Sequence, residues 1–338
     1  MTNLTKLFRA LLPTALLVAG SADLAGAQNS NPCRPDIATD PWSDPCQLRN
    51  GAYRAILPDG PGPYPALVHL YGSLGKSINY VDGQLTRQVR REIVERGYAF
   101  IVPAALPVVT YRSGQTGTGW GRRARRAHPR DDVAFVRAVI LDAVRRLDVD
   151  PNRILLHGQS DGGFFIYELA CFEPDIATAF AVHGASFGRG FPARCTRPVR
   201  FLHGHGVRDE TVPFDRERRS SRGDVTAHDP SVARQLIART NRCARGPEPA
   251  PPPARLERFT WTECFPGSAL DFFAHRGGHG WPRDWFKIVI DWYETTEPRT
   301  ARAVNRSVGA GRGTGFQSAP TAVTRGGSGG GRFQSAPN

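Results

Sequence analysis

A serine becomes a nucleophile when a neighbouring base takes its proton and its backbone presents the hydroxyl outward. The stretch Leu155-Leu156-His157-Gly158-Gln159-Ser160-Asp161-Gly162-Gly163 has the form that meets the second condition. Residues 152–156 read as a buried strand and residues 164–170 as a helix. Between them Gly158 and Gly162 bracket Ser160 in a Gly-x-Ser-x-Gly elbow, a turn so sharp that a Cβ at either glycine is expected to strike a neighbouring strand or helix. Such a turn lifts the hydroxyl beside a helix N-terminus, where developing negative charge is stabilised. The first condition needs a base and an acid that orients it. The run Arg200-Phe201-Leu202-His203-Gly204-His205-Gly206-Val207-Arg208-Asp209 is a strand ending in a loop that carries Asp209. A second strand, ending Phe272-Phe273-Ala274-His275, leads into Arg276-Gly277-Gly278-His279, a histidine flanked by glycines. Ser160, His279 and Asp209 are therefore the expected nucleophile, base and acid.

Each role has a rival. Glu210 is the alternative acid and His275 the alternative base, although His275 falls inside a predicted strand. His203 and His205, two residues apart, admit a metal pair, against which stands strand-end packing. Catalysis of this type also needs two backbone N–H groups for the oxyanion. Asp161, following the nucleophile, is the candidate for one. Ser73, in the loop Tyr71-Gly72-Ser73-Leu74-Gly75, is the candidate for the other. No metal or organic cofactor is required.

Positioning these groups needs a scaffold, and the chain alternates strands with helices. Strand-like runs fall at 53–57, 65–71, 98–103, 152–156, 179–182, 199–202 and 256–261, with the histidine strand last. Helical patterns fall at 85–96, 131–147 (apolar at Val133, Val136, Ile140 and Val144), after the elbow, at 231–242 and at 284–295. The alternation predicts an α/β protein with a mostly parallel sheet of about eight strands and helices on both faces. The three candidate side chains all follow strands, at the carboxyl edge where open α/β sheets place their sites.

Both ends read as lying outside that fold. Residues 1–27 have the form of an export signal: Lys6 and Arg9, an apolar run, then Ala25-Gly26-Ala27 as a cleavage site. The run is too short to span a bilayer, so no membrane anchor is expected after cleavage. Residues 299–338 are rich in Gly, Ser, Ala, Thr and Arg and repeat Phe-Gln-Ser-Ala-Pro, the composition of a disordered tail. Residues 28–298 remain as one catalytic domain. The net charge of +13 includes six tail arginines and a net +1 from residues 1–27, which leaves +6 for the domain. The cluster Arg122-Arg123-Ala124-Arg125-Arg126 reads as a solvated loop, and no motif points to nucleic acid. Six cysteines in an exported chain imply disulfides in an oxidising compartment, periplasmic or extracellular. Local spacing pairs Cys33 with Cys46, Cys171 with Cys195, and Cys243 with Cys264.

Ser160 in Gly-Gln-Ser-Asp-Gly-Gly, Asp209 before Glu-Thr-Val-Pro, His279 in Gly-Gly-His-Gly-Trp-Pro, and Asp131-Asp132-Val133-Ala134-Phe135-Val136 resemble the polyhydroxybutyrate depolymerase family. They are most similar to its single-domain branch, which includes feruloyl-esterase-like secreted hydrolases. The resemblance runs from about Gly51 to Tyr293, and the chain order Ser, Asp, His is that of α/β-hydrolases. It implies an α/β-hydrolase fold and a secreted, monomeric serine esterase acting on hydroxyalkanoate oligomers or feruloyl and acetyl esters. Two departures stand out: Tyr71-Gly72 where the family has His-Gly, and Thr118-Gly119-Trp120-Gly121 in place of a longer cysteine-containing loop. Depolymerases of solid polyester add substrate-binding domains, so a soluble ester or oligomer is the expected substrate. A serine peptidase of prolyl-oligopeptidase type and a non-catalytic binding protein of the same fold remain as alternatives.

Overall fold

The computed structural model describes residues 45–73, 83–110, 116–121, 128–250 and 256–296. The expected export signal, the tail, Cys33 and the Arg122–126 cluster lie outside these residues. The chain begins with β1 (Cys46–Leu48), β2 (Gly51–Ile56) and β3 (Tyr64–Leu70), then α1 (Gly83–Glu92) and β4 (Ala99–Pro103). A small hairpin, β5 (Leu106–Thr110) and β6 (Thr116–Gly119), precedes α2 (Asp132–Arg146). There follow β7 (Val149–Gln159), α3 (Asp161–Phe172), β8 (Ala179–His183) and β9 (Arg200–Gly206). A second hairpin, β10 (Arg218–Arg219) and β11 (Val225–Ala227), leads to α4 (Pro230–Thr240), β12 (Arg245–Ala250), β13 (Glu257–Thr262), β14 (Ala269–His275) and α5 (Trp285–Thr295).

The central sheet has ten strands in the order β1-β2-β4-β3-β7-β8-β9-β14-β13-β12. The six from β4 to β14 run parallel, and antiparallel pairs flank them at both edges. The sheet is thus two strands wider than predicted. The extra strands are both at edges: a three-residue segment at Cys46, and Arg245-Gly-Pro-Glu-Pro-Ala, whose two prolines disguise a strand and are tolerated only at an edge.

Strands β4, β8 and β9 are buried along their whole length, as a parallel sheet covered on both faces must be. The covering follows from alternation along β9. Tyr167 of α3 bonds His203, whereas Trp285 of α5 lies over Gly204, the next residue. Helices α3 and α5 therefore lie on opposite faces. Helix α1 joins α5 through Lys287 N–H on Glu92, while Arg234 of α4 sits over Phe272 on the α3 side. Because six strands run parallel, the ends of β3, β7, β9 and β14 open onto one edge, and the loops there carry the candidate residues.

Candidate active site

The elbow has the backbone its sequence implies. Ser160 sits at φ 52°, ψ −121°, a left-handed conformation that L-residues rarely adopt and that persists only where the surroundings enforce it. Its N–H donates to His183 O on β8 (3.1 Å), and its carbonyl accepts the first helical bond of α3 from Phe164 N–H (2.9 Å). The glycines are required by space. A Cβ on Gly158 would stand 2.6 Å from Gly162 O and from Ile166 Cγ1, and one on Gly162 would overlap the Leu70 carbonyl of β3. Gly163 adds a third constraint, because a Cβ there would lie 2.6 Å from that of Ala185.

The acid and base loops meet beside this elbow. His279 Nδ1–H donates to Asp209 Oδ2 at 2.8 Å. Asp209 Oδ1 accepts from the backbone N–H groups of Thr211 (2.9 Å) and Val212 (2.8 Å), and His205 Nε2 stands 3.4 Å from Oδ2. Burial by itself would push the Asp209 carboxyl up. The hydrogen bonds from His205, His279 and Val212, together with the adjacent His279 ring, outweigh burial and hold it far below the usual carboxylate range. Gly184 separates this pair from β8, its Cα hydrogen facing His279 and Asp209. Gln159, next to the serine, donates to His279 O (3.4 Å). No hydrogen bond between Ser160 Oγ and His279 is closed among the described residues, which is common in sites without substrate. Of the rivals, His275 is spent elsewhere: its Nδ1 accepts from Gly277 N–H and its Nε2 faces His183.

The loop after β3 passes the nucleophile closely enough that a Cβ on Gly72 would lie 2.9 Å from the Ser160 Cβ. Two residues that sequence reasoning left without a role fasten it. Trp120 Nε1–H donates to Tyr71 O (2.9 Å), and Trp120 N–H donates to the Asp161 carboxylate (3.0 Å). The indole stacks on Phe165 at 5.8 Å, and Tyr71 Oη accepts from Ala105 N–H (2.9 Å). Trp120 thereby ties the loop carrying Ser73 to Asp161, the residue after Ser160. Its own segment is held by buried Asp132, which accepts from Gly121 N–H (2.5 Å) and pairs with Arg130. The sequence signs of this clamp were the two departures from the family pattern, at Tyr71-Gly72 and at residues 118–121.

His203 and His205 face each other across 3.0 Å, and among the described residues no cluster of three or more ligating side chains is placed to hold a metal ion. Disulfides join Cys171 to Cys195 and Cys243 to Cys264. The partner expected for Cys46, Cys33, falls outside the described residues. No described helix is long and apolar enough to cross a membrane.

No protein-family model matches the chain. NocK of Nocardia uniformis subsp. tsuyamanensis, a protein assigned as an esterase, is 28% identical over 204 residues, covering 53% of this chain and 58% of NocK. Feruloyl esterase C of Emericella nidulans is 23% identical over 269 residues, covering 80% of this chain and 90% of that protein. The chain thus spans little over half the length of one relative and most of the other. Acetyl xylan esterase from Aspergillus awamori, a solved structure, superposes with a TM-score of 0.50 at 14% identity, over 72% of this chain and 94% of its own.

Proposed function

From the α/β-hydrolase fold that this chain carries, we propose that it is a serine esterase cleaving carboxylic esters through an acyl-enzyme. The observation that carries the reading is Ser160, held at positive φ between β7 and α3 on the same sheet edge as the 2.8 Å His279–Asp209 pair. The esterases among its relatives support the same bond.

In the proposed reaction His279 Nε2 accepts the Ser160 proton as Oγ bonds to the ester carbonyl carbon. The carbonyl oxygen becomes an anion, held by the N–H groups of Ser73 and Asp161. Collapse of this intermediate expels the alcohol, which takes the proton from His279. Water then repeats the sequence on the acyl-enzyme: His279 removes its proton, the C–Oγ bond breaks, Ser160 recovers the proton and the carboxylic acid leaves. Asp209 keeps the imidazole oriented and stabilises its positive charge in both halves.

The relatives' names extend to feruloyl and acetyl esters; the motif resemblance adds hydroxyalkanoate oligomers, and the substrate class proposed is a soluble ester or ester oligomer of these kinds. The two disulfides fit an exported protein, and we assign residues 28–298 as the hydrolase unit, acting as a monomer outside the cytoplasm. The test is hydrolysis of p-nitrophenyl acetate, butyrate and octanoate by the purified protein and by Ser160→Ala. Turnover that disappears in the variant supports the reading, and the chain-length profile sizes the acyl pocket. Turnover retained in the variant, or absent from folded wild type, overturns it.

A further inference from the structure

Behind the acid lies a row of buried groups that the proposed reaction does not use. Tyr167 Oη of α3 is 2.8 Å from His203 Nδ1, His203 Nε2 is 3.0 Å from His205 Nδ1, and His205 Nε2 is 2.9 Å from Val212 O and 3.4 Å from Asp209 Oδ2. All three side chains are buried. The chemistry of the partners assigns the protons. A carbonyl only accepts, so His205 Nε2 carries hydrogen. With both rings uncharged, His205 Nδ1 must accept from His203 Nε2–H, and His203 Nδ1 must accept from the Tyr167 hydroxyl. Every donor in the row points toward the acid, and the row cannot reverse, because its last acceptor has no proton to return.

We propose that Tyr167, His203 and His205 are positioning residues of the Ser160–His279–Asp209 triad: a one-way hydrogen-bond row whose last N–H, bonded to Val212 O, also lies 3.4 Å from Asp209 Oδ2 and so sets how strongly that carboxylate holds His279. The proposal rests on the esterase reading for its kinetic arm. The row acts by sharing the carboxylate's negative charge. Without the His205 N–H, Asp209 concentrates more charge on His279 and favours the imidazolium, so the free base needed to accept the Ser160 proton is reached only at higher pH. Tyr167 acts at a distance: without its hydroxyl the His203 ring is no longer held with its proton on Nε2, the bond to His205 Nδ1 weakens, and the His205 ring, kept protonated at Nε2 by Val212 O, is placed less firmly against Asp209. Other charged and titratable groups face the row. Arg234 of α4 flanks His203, while His183 of β8 and His275 of β14 stand near His205 and Asp209. None of these presents an N–H to the acid among the bonds of the described residues.

The test compares wild type with His205→Leu, His205→Gln and Tyr167→Phe, each followed as kcat/KM against pH with p-nitrophenyl butyrate. The acid limb of that profile reports the base of the free enzyme. His205→Leu is expected to raise the limb by about half a pH unit and to lower kcat about tenfold with KM little moved. His205→Gln, whose amide N–H falls where Nε2–H was, restores most of the limb. Tyr167→Phe shifts it in the same direction by less. A merely structural role lowers the melting temperature of these variants and leaves the limb in place. Should His205→Leu not fold, Tyr167→Phe decides, since it removes one oxygen and no hydrocarbon. Folded variants with the wild-type limb overturn the proposal. The downfield proton resonance of His279 Nδ1–H supplies an arm free of substrate. If it moves in the variants while no ester is turned over, the row stands and the esterase reading falls.

Discussion

Ser160 is dangerous to its own fold: a residue at φ 52° costs on the order of 1–3 kcal/mol, and its neighbours exist to enforce that conformation. Gly162 is the most exacting of them, since any Cβ there enters the Leu70 carbonyl. Gly162→Ala is expected to cost more than about 4 kcal/mol or to abolish soluble protein, because strand and helix must part to admit a methyl group. A urea midpoint near wild type would show that the elbow relaxes. Trp120→Phe tests the clamp on the oxyanion loop. It keeps a ring for Phe165 to stack on but removes the indole N–H that Tyr71 O accepts from, a loss of about 1–3 kcal/mol. Activity should fall in kcat more than in KM, since the loop is proposed to act when the oxyanion forms; an unchanged kcat would mean that Tyr71 is held by other contacts. The two cases differ in legibility. The elbow could be read from the sequence because the residues that form it, Gly158 to Gly163, are contiguous, although the strands that enforce it are not. The clamp could not, because it joins Tyr71, Trp120 and Asp161 across three elements and leaves no periodic trace.

Strand β9 shows how one element serves two demands. Its last residues, His203-Gly204-His205-Gly206, alternate imidazole with hydrogen. The imidazoles face α3 and the acid. On the other face Gly204 admits the Trp285 ring, and Gly206 lets the Gly277–Gly278 backbone press against the strand. Val207 N–H and Arg208 N–H then donate to His275 O (2.9 Å) and Gly277 O (3.0 Å), which knits the acid loop to the base loop. The alternating period was visible in the sequence, and so was the placement of acid and base after strands. What faced the histidines was not, because β9 meets β8 and β14 only through register. The disulfides work at the same scale. Cys171–Cys195 closes a loop of 24 residues between α3 and the approach to β9. Replacing both cysteines with serine is expected to cost about 3 kcal/mol through freedom regained by the unfolded chain. An unshifted urea midpoint would argue that the loop is pinned by its other contacts, such as Thr196 N–H on Cys171 O.

Across the whole molecule the buried histidines set a lower limit of pH. Burial pushes His69 down to about 3, and burial first, then neighbouring charges, puts His157, His183 and His203 well below the ordinary imidazole value. A native group that resists protonation leaves the unfolded chain to bind the proton. Stability is therefore complete above about pH 6.5 and is lost as pH falls below it, at about 1.4 kcal/mol per pH unit for each such ring. The urea midpoint should drop steeply between pH 7.5 and 5, while a midpoint level across that range would show that these rings are protonated in the native state without cost. Two pairs share the burden, His69 with His157 at 2.8 Å and His183 with His275 at 3.0 Å, and Trp285 Nε1–H donates to His157 Nε2.

The order of the machinery along the chain has its own consequence. The elbow is made first, the proposed acid next and the proposed base last, in the loop after β14, a strand that must enter the sheet between β9 and β13. Until then a growing chain carries Ser160 without a partner to take its proton. On the proposed reading, synthesis itself acts as a safety catch, and Ser160 is armed only once the loop after β14 is in place.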